Sequence, residues 1–444
     1  MHRPHPLSSF LWLATGWLVA ATLALVACPV AAQPRALRDE IDRRVTLVSP
    51  KVVAWRRDLH EHPELSNRES RTAKVVTDHL RSLGLDVREG VARTGVVGVL
   101  KGGKPGPVVA LRADMDALPV TEEVEVPFRS VVHATFAGQI VGVMHACGHD
   151  AHTAMLMGVA EVLAGMRAQI PGTVKFIFQP AEEGPPPGET GGASVMVTEG
   201  ALENPAVNAI FGLHVWPEEA GKLSYRSGGA MSAADRFTIV VKGKQTHGAQ
   251  PWRGVDPIVV TSQIVGALQT ITSRQTDITL APAVVTVGTI NGGVRFNIIP
   301  DSVVMTGTIR TFDAGMRTDV HMRLARTAER IAEASGAAAT VHIDVGGDVL
   351  VNDPTLTERM GATIRRVADG KVNTGALWMP SEDFPYFTKK IPGLYIFLGV
   401  NRPGVNANDA APNHSTKFYV NEDAMPTGVR AMASLAMEYL SGTK

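Results

Sequence analysis

Apolar residues recur at helical spacing along "RRVTLVSPKVVAWRRDLHEHPEL" (43–65) and "RTAKVVTDHLRSLGL" (71–85), which predicts two amphipathic helices. Between and after them come short runs that are apolar almost without a break: "GVVGVLKG" (95–102), "PVVALRADMD" (107–116), "TVKFIFQPAEEG" (173–184) and "NAIFGLHVWP" (208–217). Runs of that kind are strands buried on both faces, the mark of a parallel sheet sandwiched by helices. The alternation predicts an α/β unit with an open, mostly parallel sheet. Three of the runs end in a polar cluster, "RADMD", "QPAEEG" and "GLHVWP". Such sheets gather their chemistry at the carboxyl ends of the strands.

From Ala234 the pattern changes. "DRFTIVVKG" alternates apolar and polar residues as a half-buried strand does, and "VDPIVVTSQIVGALQTITS" predicts a helix opened by Asp256 and Pro257. "LAPAVVTVGTING" and "SVVMTGTIRTF" predict strands, "AGMRTDVHMRLARTAERIAEASG" a long helix and "ATVHIDV" a last strand. Strand, helix, strand, strand, helix, strand is the order of a small ferredoxin-like α+β unit. "LYIFLGV" and a C-terminal helix then resume the first pattern. The division expected is a leader over 1–32, the large domain over 33–233 and 347–444, and an inserted domain over 234–346.

A chain of 444 residues suits two domains, and 45% hydrophobic with 19% charged residues is globular composition. Lys plus Arg and Asp plus Glu both number 43, so no net field would gather nucleic acid. The leader has Arg3, an uncharged apolar run from Phe10 to Ala27, Pro29, and the small residues "VAA" before Gln33. That order predicts a secretory signal cleaved between Ala32 and Gln33. An uncleaved membrane anchor and a lipoprotein signal acylated at Cys28 (in "LVAC") are the alternatives, and each of the three means export. Cys28 and Cys147 are the only cysteines, too few for a disulfide framework.

The chemistry concentrates in "GVMHACGHDAHTAML" (142–156), where His145, Cys147, His149, Asp150 and His152 lie within eight positions. Thiolate, imidazole and carboxylate together are transition-metal donors. Cys147 and His149 would diverge on a helix, so they converge on one ion only if the backbone is irregular there, which Gly148 permits. Asp150 suits the N-cap of the helix that follows. A buried thiol beside a capping turn is the plainer alternative. Glu182 and Glu183 end another strand, and adjacent carboxylates repel unless a cation neutralises them. On extended backbone they would point opposite ways, one toward a metal and one toward substrate. His214 and His414 are weak signals singly. Together these residues supply one thiolate, three imidazoles and a carboxylate, enough for two ions. Asp114 and Asp116 would share a side of their strand, and one of them could orient a metal-bound imidazole.

"RADMDALP", "MHACGHDAHTAML", "QPAEEG", "GLHVWP", "THGAQPWRGVDPI", "NIIPD", "SEDFPYF" and "NHSTKF" occur in order over nearly the whole chain after the leader. In this the chain resembles the metal-dependent amidohydrolases of the aminoacylase and carboxypeptidase G superfamily, in the branch of hippurate and indole-acetyl-amino-acid hydrolases. The resemblance implies a zinc-peptidase-like catalytic domain with an inserted ferredoxin-like lid and dimerisation domain. It implies two divalent ions held by Cys147, His149, Glu183, His214 and His414, with zinc the first expectation and manganese, cobalt or nickel open. It implies Glu182 as general base and Asp116 as the aspartate behind the site. His247 would polarise the scissile carbonyl, from across a subunit interface in dimers, while Asn297 and Arg310 would grip the substrate.

The function expected is hydrolysis of the amide bond of an N-acyl or N-aroyl amino acid, hippurate-like or an aroyl-phenylalanine such as ochratoxin A. Trp216 and Trp252 are candidates for lining the acyl pocket. A dipeptidase or carboxypeptidase of the same superfamily is the first alternative. A non-catalytic exported metal-binding protein is the second, though a binder has no use for Glu182 beside Glu183. The insertion "GPPPGETGGAS" is expected to shape the pocket rim. A homo-oligomer built on the inserted domain completes the expectation.

Overall fold

The structure is a computed structural model and describes residues 34–442; the apolar leader, Cys28 and the Ala32–Gln33 junction lie outside them. Its larger sheet has eight strands in the order Asp86–Val91, Gly95–Lys101, Pro171–Gln179, Lys104–Asp114, Ala209–Trp216, Gly393–Gly399, Leu223–Ser224 and Val372–Asn373. From Pro171–Gln179 to Gly393–Gly399 the strands run parallel, so their carboxyl ends open on one edge. The hairpin Asp86–Val91 with Gly95–Lys101 joins antiparallel on one side.

Side-chain alternation explains why these strands are apolar throughout. Val109, Leu111, Phe211, Leu213, Leu394 and Ile396 enter the core beneath the helices Arg35–Glu61, His149–Ala164 and Met425–Ser441. The intervening Ala110, Ile177, Ile210, Tyr395 and Phe397 enter a second core on the opposite face. Both faces are therefore dry, as the unbroken runs imply. The helix Pro354–Val367, capped by the Asp353 carboxylate on the Leu356 N–H, and the strand Val372–Asn373 were not foreseen. Among the described residues no helix is long and apolar enough to cross a membrane.

The second sheet has four antiparallel strands, ordered Ala283–Gly292, Ser302–Thr311, Ala233–Lys242 and Ala338–Asp344. Helices Pro257–Thr270 and Ala314–Ala334 contribute Val260, Ile264, Leu268, Val320 and Leu324 to a separate core with Phe237, Ile239, Met305 and Ile309. Asp256 caps the first helix through the Ile258 and Val259 N–H groups. This is the ferredoxin-like order and pairing. Strand Ala283–Gly292 forms one open edge of the sheet.

Candidate metal centre

The parallel strands deliver the polar clusters to one place. Cys147 and His149 approach through a turn at Gly148, whose φ of 89° lies in the left-handed region, just before helix His149–Ala164. The helix therefore starts earlier than expected. Asp150 is in its first turn and makes no cap; its carboxylate faces the Arg56 Nε at 2.8 Å and the His60 Nδ1 at 2.8 Å. That pairing follows from burial: an ionised carboxylate with no exposure needs opposite charge more than the helix needs a cap.

Glu182 and Glu183 also depart from expectation. The strand ends at Gln179, Ala181 turns at φ 52°, and the two glutamates occupy a turn and not extended backbone. The Asp116 carboxylate holds that turn by accepting the Glu182 N–H at 3.1 Å and the Glu183 N–H at 3.0 Å. Both side chains consequently face one imidazole, each with an oxygen 3.9 Å from the His149 Nε2.

The donors form overlapping sets. Cys147, His149 and His214 have ligand atoms within 4.8 Å of one another; so do Cys147, Glu183 and His414, and His149, Glu182 and Glu183. The Cys147 Sγ lies 3.4 Å from the His214 Nε2, and the His414 Nε2 lies 3.1 Å from a Glu183 oxygen. His214 donates from Nδ1 to the Val215 carbonyl at 2.7 Å, which leaves its Nε2 lone pair facing the thiol. His149 turns its Nδ1 to Asp116 at 3.3 Å and its Nε2 to the glutamates. Asp116 thus fixes both the glutamate turn and the imidazole.

The electrostatics favour a cation. Burial, with Glu183 and Glu182 adding to it, pushes the Cys147 thiol well above its ordinary value, so the thiolate needs added positive charge. Burial alone would depress His149, but Asp114, Asp116 and Glu183 outweigh it and raise it to about 10. Burial, then Glu382 and Glu183, raises Glu182 well above the carboxylate range. The His149 ring nitrogens are buried with carboxylate oxygens 3.3 to 3.9 Å away, and the nearest donor to the buried Glu183 Oε1 is the His414 Nε2 at 3.1 Å. An imidazole facing three carboxylates, a buried thiol and two adjacent glutamates fit divalent ions held by overlapping donor sets.

His247, Asn297 and Arg310 do not join this cluster. Strand Thr246–His247 pairs with Ile298–Ile299, and the Gly248 N–H donates to the Asn297 carbonyl, so His247 and Asn297 are neighbours on the inserted domain. Arg310 lies on the second sheet opposite Ala234 and Val284. Trp216 packs 6.3 Å from His214, ring to ring, whereas Trp252 is 76% exposed. In the Pro-rich insertion, Glu189 is tied to Arg68 and Arg93.

The model for peptidase family M20/M25/M40 matches residues 110–438. The chain belongs to that family. It is 40% identical over 410 residues to thermostable carboxypeptidase 2 of Saccharolobus solfataricus, covering 91% of this chain and 99% of the relative. It is 40% identical over 402 residues to IAA-amino acid hydrolase ILR1-like 2 of Arabidopsis thaliana, covering 88% and 87%. The crystal structure of Bacillus subtilis YxeP, described as a dinuclear metal-binding peptidase of family M20, superposes with a TM-score of 0.74 at 34% identity, over 89% of this chain and 99% of that one. The chain is therefore an enzyme of the metal-dependent amidohydrolase and peptidase class.

Four supporting roles come from the fold alone. His152 sits 2.5 Å from Asp114, Asn413 donates to the Cys147 carbonyl at 3.2 Å, and Glu382 and Asp383 approach Glu182 to within 4.8 Å. A signal existed for the last pair, since "SEDFPYF" sets adjacent acids in an aromatic run.

Proposed function

We infer that this enzyme hydrolyses the amide bond of N-acyl or N-aroyl amino acids, releasing a carboxylic acid and a free amino acid. The observation that carries the reading is Glu182: a carboxylate beside two donor sets, Cys147 with His149 and His214 and Cys147 with Glu183 and His414, which overlap at Cys147 and do not include it. Cys147, His149, Glu183, His214 and His414 would hold the ions, with zinc the best match to a thiolate and imidazoles. When bound, two such ions supply Lewis acidity, acidifying a water and drawing electron density from the amide carbonyl. Glu182 takes the proton from water and returns it to the departing amine nitrogen. Asp116 keeps the His149 imidazole and the glutamate turn in register through this exchange.

His247 would reach the site from a second copy and donate to the developing oxyanion. Exposure of His247 supports this, as does an apolar surface around it, with Val294 100% and Phe296 95% exposed beside the open edge strand Ala283–Gly292. An isologous dimer through that edge would cover both. The Arg310 Nη1 is a buried donor and the Asn297 Oδ1 a buried acceptor, each without a partner, which suits a grip by Arg310 on a substrate carboxylate and by Asn297 on a substrate N–H. Trp216 beside His214 suits a flat acyl group, as in hippurate or the aroyl-phenylalanine of ochratoxin A. Export belongs to the same proposal and rests on the residue pattern of 1–32.

Similarity to a carboxypeptidase favours a second reading, in which the substrate is a peptide. The test compares benzoyl-phenylalanine, acetyl-phenylalanine and an unblocked dipeptide at equal metal loading. Preference for the dipeptide selects the second reading. Glu182→Gln should abolish turnover while bound metal stays at the wild-type count; metal loss in that variant means that the two glutamates have exchanged roles.

A further inference from the structure

Arg112 sits mid-sheet on strand Lys104–Asp114, 1% exposed, and none of the chemistry above requires it. Its donors are fully engaged. The Nε donates to the Gln179 Oε1 at 2.8 Å; the Nη1 donates to the Asp114 Oδ2 at 2.5 Å and the Tyr395 Oη at 3.2 Å. The Nη2 donates to the Glu382 Oε1 at 2.8 Å and the Asp383 Oδ1 at 3.0 Å. A planar guanidinium offers five N–H groups in a rigid fork, so using all of them fixes its neighbours in relative position.

Two chains of contacts leave this hub. Along one, the other Asp114 oxygen accepts from the His152 Nδ1 at 2.5 Å, and the His152 Nε2 accepts the Val215 N–H at 2.8 Å. Those bonds set the His152 tautomer and hold the residue next to His214. Along the other, Glu382 is held also by the Tyr395 hydroxyl at 2.6 Å, and Asp383 by Gln179 at 2.8 Å and the Ala193 N–H at 2.7 Å. The Glu382 and Asp383 oxygens close to within 4.8 Å of a Glu182 oxygen, forming the wall against which Glu182 rests. Gln179, three residues before Glu182, ties this wall to the strand that carries the glutamates.

We propose that Arg112 is a positioning residue for turnover, a single buried guanidinium that sets the metal-side strand at His214 through Asp114 and His152, and the location of Glu182 through Glu382 and Asp383. The proposal rests on the hydrolase reading for its effect on rate, but not for its effect on the metal site. A lysine cannot replace the fork, because one ammonium cannot reach Gln179, Asp114 and the Glu382–Asp383 turn at once.

The test uses the full-length chain processed as the cell produces it, loaded with cobalt(II), whose visible absorption reports ligand geometry. Arg112→Lys should lower kcat at least tenfold with KM within threefold, and should shift the cobalt absorption. Tyr395→Phe, which removes the hydroxyl contacts to Glu382 and to the Arg112 Nη1 but leaves the Arg112 bond to Asp114, should lower kcat threefold to tenfold with the absorption unchanged. His152→Gln should shift the absorption and weaken cobalt binding tenfold or more. An Arg112→Lys protein with wild-type kcat per folded subunit and an unshifted spectrum would overturn the proposal, even if it were less stable. Should Arg112→Lys not fold, wild-type kcat and spectra in both other variants would overturn it. If the wild-type protein cleaves no N-acyl amino acid and no dipeptide, the hydrolase reading fails, and the cobalt spectra of Arg112→Lys and His152→Gln still decide this one.

Discussion

Replacing Gly148 by alanine tests the link between backbone conformation and metal binding. A Cβ at this position would stand 2.3 Å from the Val215 Cγ2 and 3.4 Å from the Phe418 Cε1, on a residue with φ +89°. The left-handed conformation costs a non-glycine residue about 1–2 kcal/mol. Overpacking a close-packed site adds roughly 1–3 kcal/mol. Gly148→Ala should therefore destabilise the metal-free protein by about 2–5 kcal/mol, lowering Tm by about 1 °C per kcal/mol in a chain of this size. Relief of the clash has to move either Val215, and with it His214, or the turn between Cys147 and His149. Bound zinc after dialysis should consequently fall as well. Gly138→Ala is the control: its φ is +80° but nothing lies within 4 Å of the added carbon, so it should show the conformational cost alone and keep its zinc. Val215→Ala, combined with Gly148→Ala, should recover about 1–2 kcal/mol relative to additivity. Equal stability and equal zinc in Gly148→Ala and Gly138→Ala would refute the account of why a glycine separates the two donors.

Three further outcomes are expected. Mixing inactive His247→Ala subunits with inactive Glu182→Gln subunits should restore activity; no recovery after verified subunit exchange would place His247 within its own chain's site or outside the chemistry. His60 lies between Asp150 at 2.8 Å and Glu122 at 3.0 Å, and although burial and Arg56 push its pKa down, the two carboxylates leave it raised. A raised histidine contributes stability that is full below its unfolded value and disappears as pH rises through the folded one. His60→Gln should accordingly cost about 1–3 kcal/mol near pH 6 by urea unfolding and progressively less on the alkaline side; a pH-independent cost would contradict this. Mass analysis of the protein recovered from the cells that produce it should find Gln33, or an acylated Cys28, at the N-terminus, and an intact Met1 in a membrane fraction would indicate an uncleaved anchor.

Hydrophobic patterning by itself determined the two sheet types, because a strand buried on both faces must be apolar throughout while one with a wet face alternates. It also marked the donor-bearing segments, since Cys147, His149, Glu182, Glu183 and His214 lie where apolar strands or an apolar helix begin or end, and no packing need puts such groups there. What the donors face is a different matter, because it depends on residues distant in sequence. Extended backbone would have separated Glu182 from Glu183, but Asp116, brought in by a neighbouring parallel strand, accepts both N–H groups and turns the two side chains to one imidazole. Asp150 reads as a cap within its own segment; Arg56 and His60, about ninety residues earlier, claim its carboxylate instead. Arg112 shows the limit most plainly. In sequence it is one cation within "ALRADMD", and only the sheet order places Gln179, Tyr395, Glu382 and Asp383 around it. Local pattern records which faces avoid water, whereas the pairing of buried charges is settled by whichever partners the fold brings within hydrogen-bonding distance.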